Sequence, residues 1–311
     1  MNLCVDLGGL KLRNPVIAAS GTFGYGEDYI KAGDIGWFGA VCIKGTTLRP
    51  RVGNPPPRTC ETPSGLLNSI GLENPGAEVV ISEKLPWLAQ FDVPIIANIS
   101  AESYEEFSEL AGMFAQSSHV AALEVNVSCP NVKAGGIAFG TSPEMCYETT
   151  RAVRQVWKGP LIVKLTPNVA DITSIAKAAV EAGADALSLI NTLVGMAIDI
   201  HTMRPVLGNV TGGLSGPAIK PVALRCVWQV SQAVSVPVIG MGGISSAEDA
   251  LEFIMAGASA VAVGTGLLTN PEIPRKITTG IQEFCQAKGI PALKEIVGGA
   301  WRQADLPSHR P

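Results

Sequence analysis

Short apolar runs rich in valine, isoleucine and leucine recur along the chain, each followed by a stretch in which apolar positions repeat every three or four residues. Eight runs can be counted: Pro15 to Gly21, Gly39 to Gly45, Pro94 to Ser100, Ala122 to Ser128, Pro160 to Thr166, Ala186 to Thr192, Pro237 to Gly243 and Ala260 to Gly266. A continuously apolar run predicts a strand covered on both faces, the situation of a parallel sheet flanked by helices. Eight such units in series predict an α/β architecture, a closed (β/α)8 TIM barrel. Helices are predicted over Ser103 to Gln116, Ser142 to Lys158, Asp171 to Ala182 and Ser245 to Ala256, with Ser245 and Glu248 at capping-box spacing. Leu3 to Arg13, broken by Gly8-Gly9, predicts a hairpin closing the bottom of the barrel.

Most strand starts are 23 to 28 residues apart, but three gaps are longer, and the extra residues fall at 46 to 73, 129 to 141 and 193 to 216. These are long βα loops after strands 2, 4 and 6, on the face where barrel enzymes keep their chemistry. The pattern predicts one barrel domain over residues 1 to 304 and a frayed tail over 305 to 311.

Composition narrows the function classes. The 311 residues are 47% hydrophobic and 16% charged, with a formal charge of −4 and no clustered lysines and arginines, so nucleic acid is not an expected partner. Met1 to Asp6 has no basic segment leading into an apolar one, and no apolar run approaches the roughly 20 residues of a membrane span. A cytoplasmic protein that does not engage a membrane is expected. The seven cysteines include no C-x-x-C pair, which predicts reduced thiols and no locally ligated iron-sulfur cluster.

Polar residues at the C-terminal ends of buried strands need a reason, and here they recur: Ser20, Lys44, Asn98 with Ser100, Asn126 with Ser128, Lys164 with Thr166, and Asn191-Thr192. Residues two apart in a strand share a face, so these groups can converge on one ligand at the barrel mouth. The alternative is a set of buried polar groups satisfying one another. Two strand-end lysines imply an anionic target, either as a Schiff-base nucleophile or as charge stabilisation, unless each pairs with a core carboxylate such as Glu124. Glycines at Gly240-Met241-Gly242-Gly243 and Gly264-Thr265-Gly266, each before a helix after strands 7 and 8, suit a phosphate. Cys129 opens the long loop after strand 4, where its thiol is either a base or nucleophile or an inert packed group. His119, His201 and His309 all lie off the strand ends, and no metal site is expected.

At these residues the sequence resembles the dihydroorotate dehydrogenases, FMN barrels that oxidise dihydroorotate to orotate. The resemblance runs to about Trp301 and rests on Ser20-Gly21-Thr22-Phe23-Gly24, Arg49 to Pro55, Asn68-Ser69-Ile70-Gly71-Leu72, Asn126-Val127-Ser128-Cys129-Pro130-Asn131 and Asn191-Thr192. It implies FMN contacts from Ser20, Lys44, Gly45, Asn98, Asn126, Lys164, Ile190, Gly216, Gly242, Gly243, Gly264 and Thr265. Substrate contacts are implied for Lys44, Asn68, Ser69, Ile70, Gly71, Leu72, Asn126, Asn191 and Thr192, with Cys129 as the base at substrate C5. It also implies that Lys164 stabilises charge on the reduced flavin and that the loop from Cys129 to Gly140 closes over the site.

Cysteine at the base position is similar to class 1, and Asn131 to Gly140 to the NAD-linked class 1B branch. That branch implies a homodimer of barrels joined to an electron-transfer subunit carrying FAD and a 2Fe–2S cluster, together a heterotetramer. Gly266-Leu267 departs from the Ala-Asn usual at that point. The alternatives are a fumarate-linked class 1A-like enzyme, another FMN barrel acting on a related pyrimidine, a Schiff-base aldolase using Lys44 or Lys164, and a non-catalytic binding subunit.

Overall fold

The computed structural model describes residues 1–127 and 139–302. All eight apolar runs form strands: β1 (Val16–Ala18), β2 (Ala40–Cys42), β3 (Ile95–Ile99), β4 (Ala122–Asn126), β5 (Leu161–Lys164), β6 (Ala186–Leu189), β7 (Val238–Met241) and β8 (Ala260–Val263). Neighbours pair in parallel in chain order, and β8 returns to β1 with Val261 opposite Val16 and Val263 opposite Ala18, closing the barrel. The strands are shorter than the runs because each run's last residues leave the ladder as polar loop.

Alternation sorts the side chains. Ile17, Ile96, Ile162 and Ile239 point inward and interleave with the inward alanines Ala40, Ala122, Ala186, Ala260 and Ala262, a large and small mixture that fills the narrow interior. The predicted N-terminal hairpin pairs Val5–Leu7 with Leu10–Leu12, and its Leu7, Leu10 and Leu12 join this same interior cluster. The outward residues of the strands, such as Val41, Leu123 and Val163, belong to the larger core beneath the helices.

The predicted helices are Tyr104–Ala115, Pro143–Val156, Ile172–Glu181 and Ala247–Met255. Ser103, Ser142 and Asp171 cap the first three by accepting from backbone N–H groups of the first turn. The fourth starts one residue later than expected. Ser246, not Ser245, is its cap and accepts from the Asp249 N–H, while the Ser245 hydroxyl donates to the Asp249 carboxylate. The other correction lies after β1, where no full helix forms. Ser20–Phe23 is followed only by the short 3-10 turns Tyr29–Lys31 and Ile35–Trp37. Gly24 and Gly26 there take positive φ, which ends a helix, and the segment is held instead by Phe23, Tyr29 and Phe38, with ring centroids 5.3 to 5.9 Å apart.

The insertions after β2 and β6 meet over the mouth. Leu193–Gly195, Gly212–Ser215, Gly65–Asn68 and Thr59–Thr62 form one antiparallel sheet in that order. Beyond it a two-stranded ribbon, Ile198–Asp199 with Arg204–Pro205, leaves Ile198, Ile200 and Met203 exposed. Among the described residues no helix is long and apolar enough to cross a membrane.

Leu7 is wholly buried among the inward strand residues, so truncating it opens a cavity in the barrel floor. We expect Leu7→Ala to cost about 3 kcal/mol and to lower the thermal midpoint by several degrees. Cys4→Ala, at an exposed position of the same arm, should leave the midpoint unchanged.

Candidate active site

Inward alternation carries the strand-end polar groups to one place. Along β3 the inward residues are Ile96 then Asn98, along β4 Ala122 then Asn126 beyond Glu124, and along β5 Ile162 then Lys164. Asn98, Asn126 and Lys164 line a cavity of about 430 Å³ at the C-terminal ends of the strands, together with Ser20, Lys44 and Gly45. Ile190, Asn191 and Thr192 reach it from the end of β6, and Gly216, Gly242, Gly243, Gly264 and Thr265 form one side. The insertion after β2 contributes Asn68, Ile70, Gly71 and Leu72.

Ser69 is brought near but not in. It is buried, it does not line the cavity, and its hydroxyl accepts from Asn54 Nδ2 at 2.9 Å. The same Asn54 backs the segment that does line the cavity. Gly71 has φ +76°, and a Cβ there would lie 2.6 Å from the Asn54 nitrogen. Leu72 follows with φ 57°, a conformation uncommon outside glycine, and its carbonyl accepts from Asn74 Nδ2 at 2.7 Å.

Cys129 and Ser128 lie outside the described residues. The chain on either side of them is well anchored. Gly140 N–H donates to the Val127 carbonyl at 2.8 Å, and Phe139 packs on Tyr104 and Phe107 with centroids 5.5 and 5.6 Å away. Val127 and Gly140 are thus joined directly, next to the cavity-lining Asn126.

The two lysines are placed differently. Lys164 is 4.0 Å from Glu124, both side chains being buried, so it pairs with the core carboxylate and lines the cavity at once. Lys44 has no carboxylate within ion-pair distance among the described residues. Burial pushes its ammonium below the usual lysine range, while Glu73 raises it and Arg58 lowers it further. A ligand anion is the natural counter-charge. Asn98 shows a second unfilled demand: its Oδ1 is buried and accepts from nothing among the described residues.

The glycine side offers bare backbone. A Cβ on Gly21 would meet nothing within 4 Å, and one on Gly264 nothing nearer than 3.7 Å, so any side chain there would occupy cavity space. Gly243 has φ +78°, and a Cβ would come within 2.9 Å of the Gly216 carbonyl and the Lys220 nitrogen. From behind, Asp249 steadies this loop, accepting from Ser245 N and Oγ at 2.9 Å and from Lys220 Nζ at 2.6 Å. The helix directly after β8 is only Gly266–Thr269, so the partial charge expected there comes from one turn and not from a long dipole.

Comparison with known proteins decides the family. The family model described as dihydroorotate dehydrogenase matches residues 2–285. The chain belongs to the dihydroorotate dehydrogenase family. It is 55% identical over 300 residues to the dihydroorotate dehydrogenase B (NAD(+)) catalytic subunit of Geobacillus kaustophilus, covering 96% of each chain. The protein of that name from Bacillus pumilus is 53% identical over 308 residues, 99% of each chain. The fold also matches the crystal structure of the Eimeria tenella dehydrogenase in complex with ferulenol, with a TM-score of 0.82, 24% identity, and 97% and 89% of the two chains covered.

Thr59, Leu66 and Ser215 also line the cavity and were not anticipated. They sit on the antiparallel sheet made by two insertions far apart in sequence, and nothing local to either announces the pairing.

A carboxylate ligand held by protonated Lys44 should lose affinity as pH rises through that lysine's lowered pKa, earlier than for a free lysine near 10.4. Glu73 favours the charged form, so Glu73→Gln should move this alkaline limb to lower pH. Spectrophotometric titration with orotate from pH 7 to 10 measures it, and an unmoved limb would assign the titration to another group.

Proposed function

We propose that this chain is the catalytic subunit of an NAD-linked dihydroorotate dehydrogenase, oxidising dihydroorotate to orotate in de novo pyrimidine synthesis. The observation that supports the reading best is the cavity, where bare glycine backbone on one side faces two lysines and the unsatisfied Asn98 acceptor on the other. FMN fits this donor set. Gly242, Gly243, Gly264 and Thr265 suit its phosphate, Ser20, Gly45, Asn98, Ile190 and Gly216 its ring and ribityl chain, and Lys164 the ring's polar edge. When bound, FMN supplies the two-electron acceptor for the hydride leaving C6 of the substrate.

The chain's own residues do the rest. Lys44 with Asn68, Ile70, Gly71 and Leu72 holds the substrate carboxylate, while Asn126, Asn191 and Thr192 donate to and accept from the pyrimidine amides. The Cys129 thiolate takes the C5 proton, and the loop from Cys129 to Gly140 excludes water while it does so. Lys164 stabilises the negative charge that arrives with the electrons. On this reading residues 1 to 304 form one barrel domain in the cytoplasm. Electrons leave to a partner subunit carrying FAD and a 2Fe–2S cluster, within a heterotetramer built on a dimer of barrels. The exposed Ile198, Ile200 and Met203 are the kind of apolar surface that such subunit contacts cover.

Purified protein should show an oxidised flavin spectrum that bleaches anaerobically on addition of dihydroorotate. Cys129→Ala should keep the flavin and lose the bleaching by at least about a hundredfold in rate. Flavin that stays oxidised in the wild-type protein would move the search to another substrate. Near-normal bleaching in Cys129→Ala would remove that thiol from the mechanism.

A further inference from the structure

Glu124 is the one carboxylate inside the barrel among the described residues, on a strand whose other inward positions are Ala122 and Asn126. It does not line the cavity; it lies one alternation beneath. Four other strands send a side chain to it. Asn98 Nδ2 donates to Oε1 at 2.6 Å, Cys42 Sγ donates to Oε1 at 3.2 Å, Ser188 Oγ donates to Oε2 at 2.7 Å, and Lys164 Nζ lies 4.0 Å from Oε1. Burial and the neighbouring carboxylate hold the Cys42 thiol far up in its protonated form, so it serves as a donor. All five side chains are buried.

An ionised carboxylate can only accept, and that has a directional consequence. Asn98 must turn its NH2 down to Glu124, because the flipped amide would set oxygen against a buried oxygen anion at 2.6 Å. Its Oδ1 is then the end offered upward, and that atom has no partner among the described residues. Lys164 is balanced from below in the same way while its ammonium lines the cavity.

We propose that Glu124 is a positioning residue: it orients Asn98 as an acceptor for an N–H group of the bound ring system and supplies the counter-charge that sets how strongly Lys164 favours the reduced ring. The proposal rests on the reading of the cavity as an FMN site. A buried ion pair that served the fold alone would be replaceable by an apolar side chain with no effect above it.

Two substitutions separate the two parts. Glu124→Met removes the acceptor, and FMN affinity, read from dissociation of diluted holoprotein by flavin fluorescence, should weaken about tenfold. In an Asn98→Ala background the same change should weaken it no more than about twofold, since the oriented group is already gone. Glu124→Gln keeps an oxygen for Asn98 but removes the charge. Its FMN affinity should stay within about twofold, and the flavin midpoint potential should rise by about 30 mV, tenfold in the equilibrium of a two-electron couple. Losses that multiply in the double variant, or an unchanged potential in Glu124→Gln, would overturn the proposal; if Glu124→Met does not fold, the potential of Glu124→Gln decides alone. Wild-type protein that neither retains nor takes up FMN would defeat the reading of the cavity, whereas FMN bound by the wild type with multiplicative losses would defeat the role of Glu124 alone.

Discussion

The ladder between β8 and β1, with Val261 opposite Val16 and Val263 opposite Ala18, joins the last βα unit to the first. Without it the eight strands would be an open sheet with two unpaired edges, and Ser20 and Thr265 would lie at opposite ends of it. Closure puts every strand's C-terminal end on one rim, so that side chains from residue 20 and residue 265 line one cavity. It also makes the interior too narrow for large side chains at every level. Isoleucines and alanines share it, and the hairpin leucines Leu7, Leu10 and Leu12 fill the lower end.

The upper interior breaks that apolar rule. Cys42, Asn98, Glu124, Lys164 and Ser188 replace aliphatic residues at successive inward positions, and desolvating them is tolerable because each meets an opposite demand in its neighbour. The exceptions are informative. Asn98 Oδ1 accepts from nothing among the described residues, and Lys44 has no carboxylate at ion-pair distance there, and both line the cavity. The barrel is thus internally satisfied up to the cavity floor, and its remaining polar demand faces the space a ligand would take.

The roof obeys a different logic. The insertions after β2 and β6 would each expose backbone groups over the mouth, and they satisfy these in each other by pairing Gly65–Asn68 with Gly212–Ser215. The approach is close enough that a Cβ on Gly213 would overlap the Thr192 hydroxyl, so glycine is required where the roof crosses the end of β6. The candidate substrate segment Asn68 to Leu72 emerges from this sheet, which gives a loop the rigidity of a strand end.

Much of this was legible in the residues alone. Eight apolar runs in the register of a βα repeat determined the barrel, since a strand buried on both faces has few other homes, and period-2 alternation placed Asn98, Asn126 and Lys164 on its inward side. The motifs around Asn68, Asn126 and Asn191 carried the family. The missing helix after β1 was misread because apolar spacing there resembles a helix while positive φ at Gly24 and Gly26 forbids one. Ser245 was taken as a cap because of Glu248, yet Asp249 draws the helix start one residue on by binding Ser245 and Lys220. Which polar groups satisfy one another and which face the cavity was decided only in three dimensions. Glu124 meets Cys42, 82 residues away, and Ser188, 64 residues away, and the roof joins residues about 145 apart. Periodicity reports which face a side chain takes, because that follows from local backbone geometry; its partner is set by barrel closure, which no local stretch of sequence encodes.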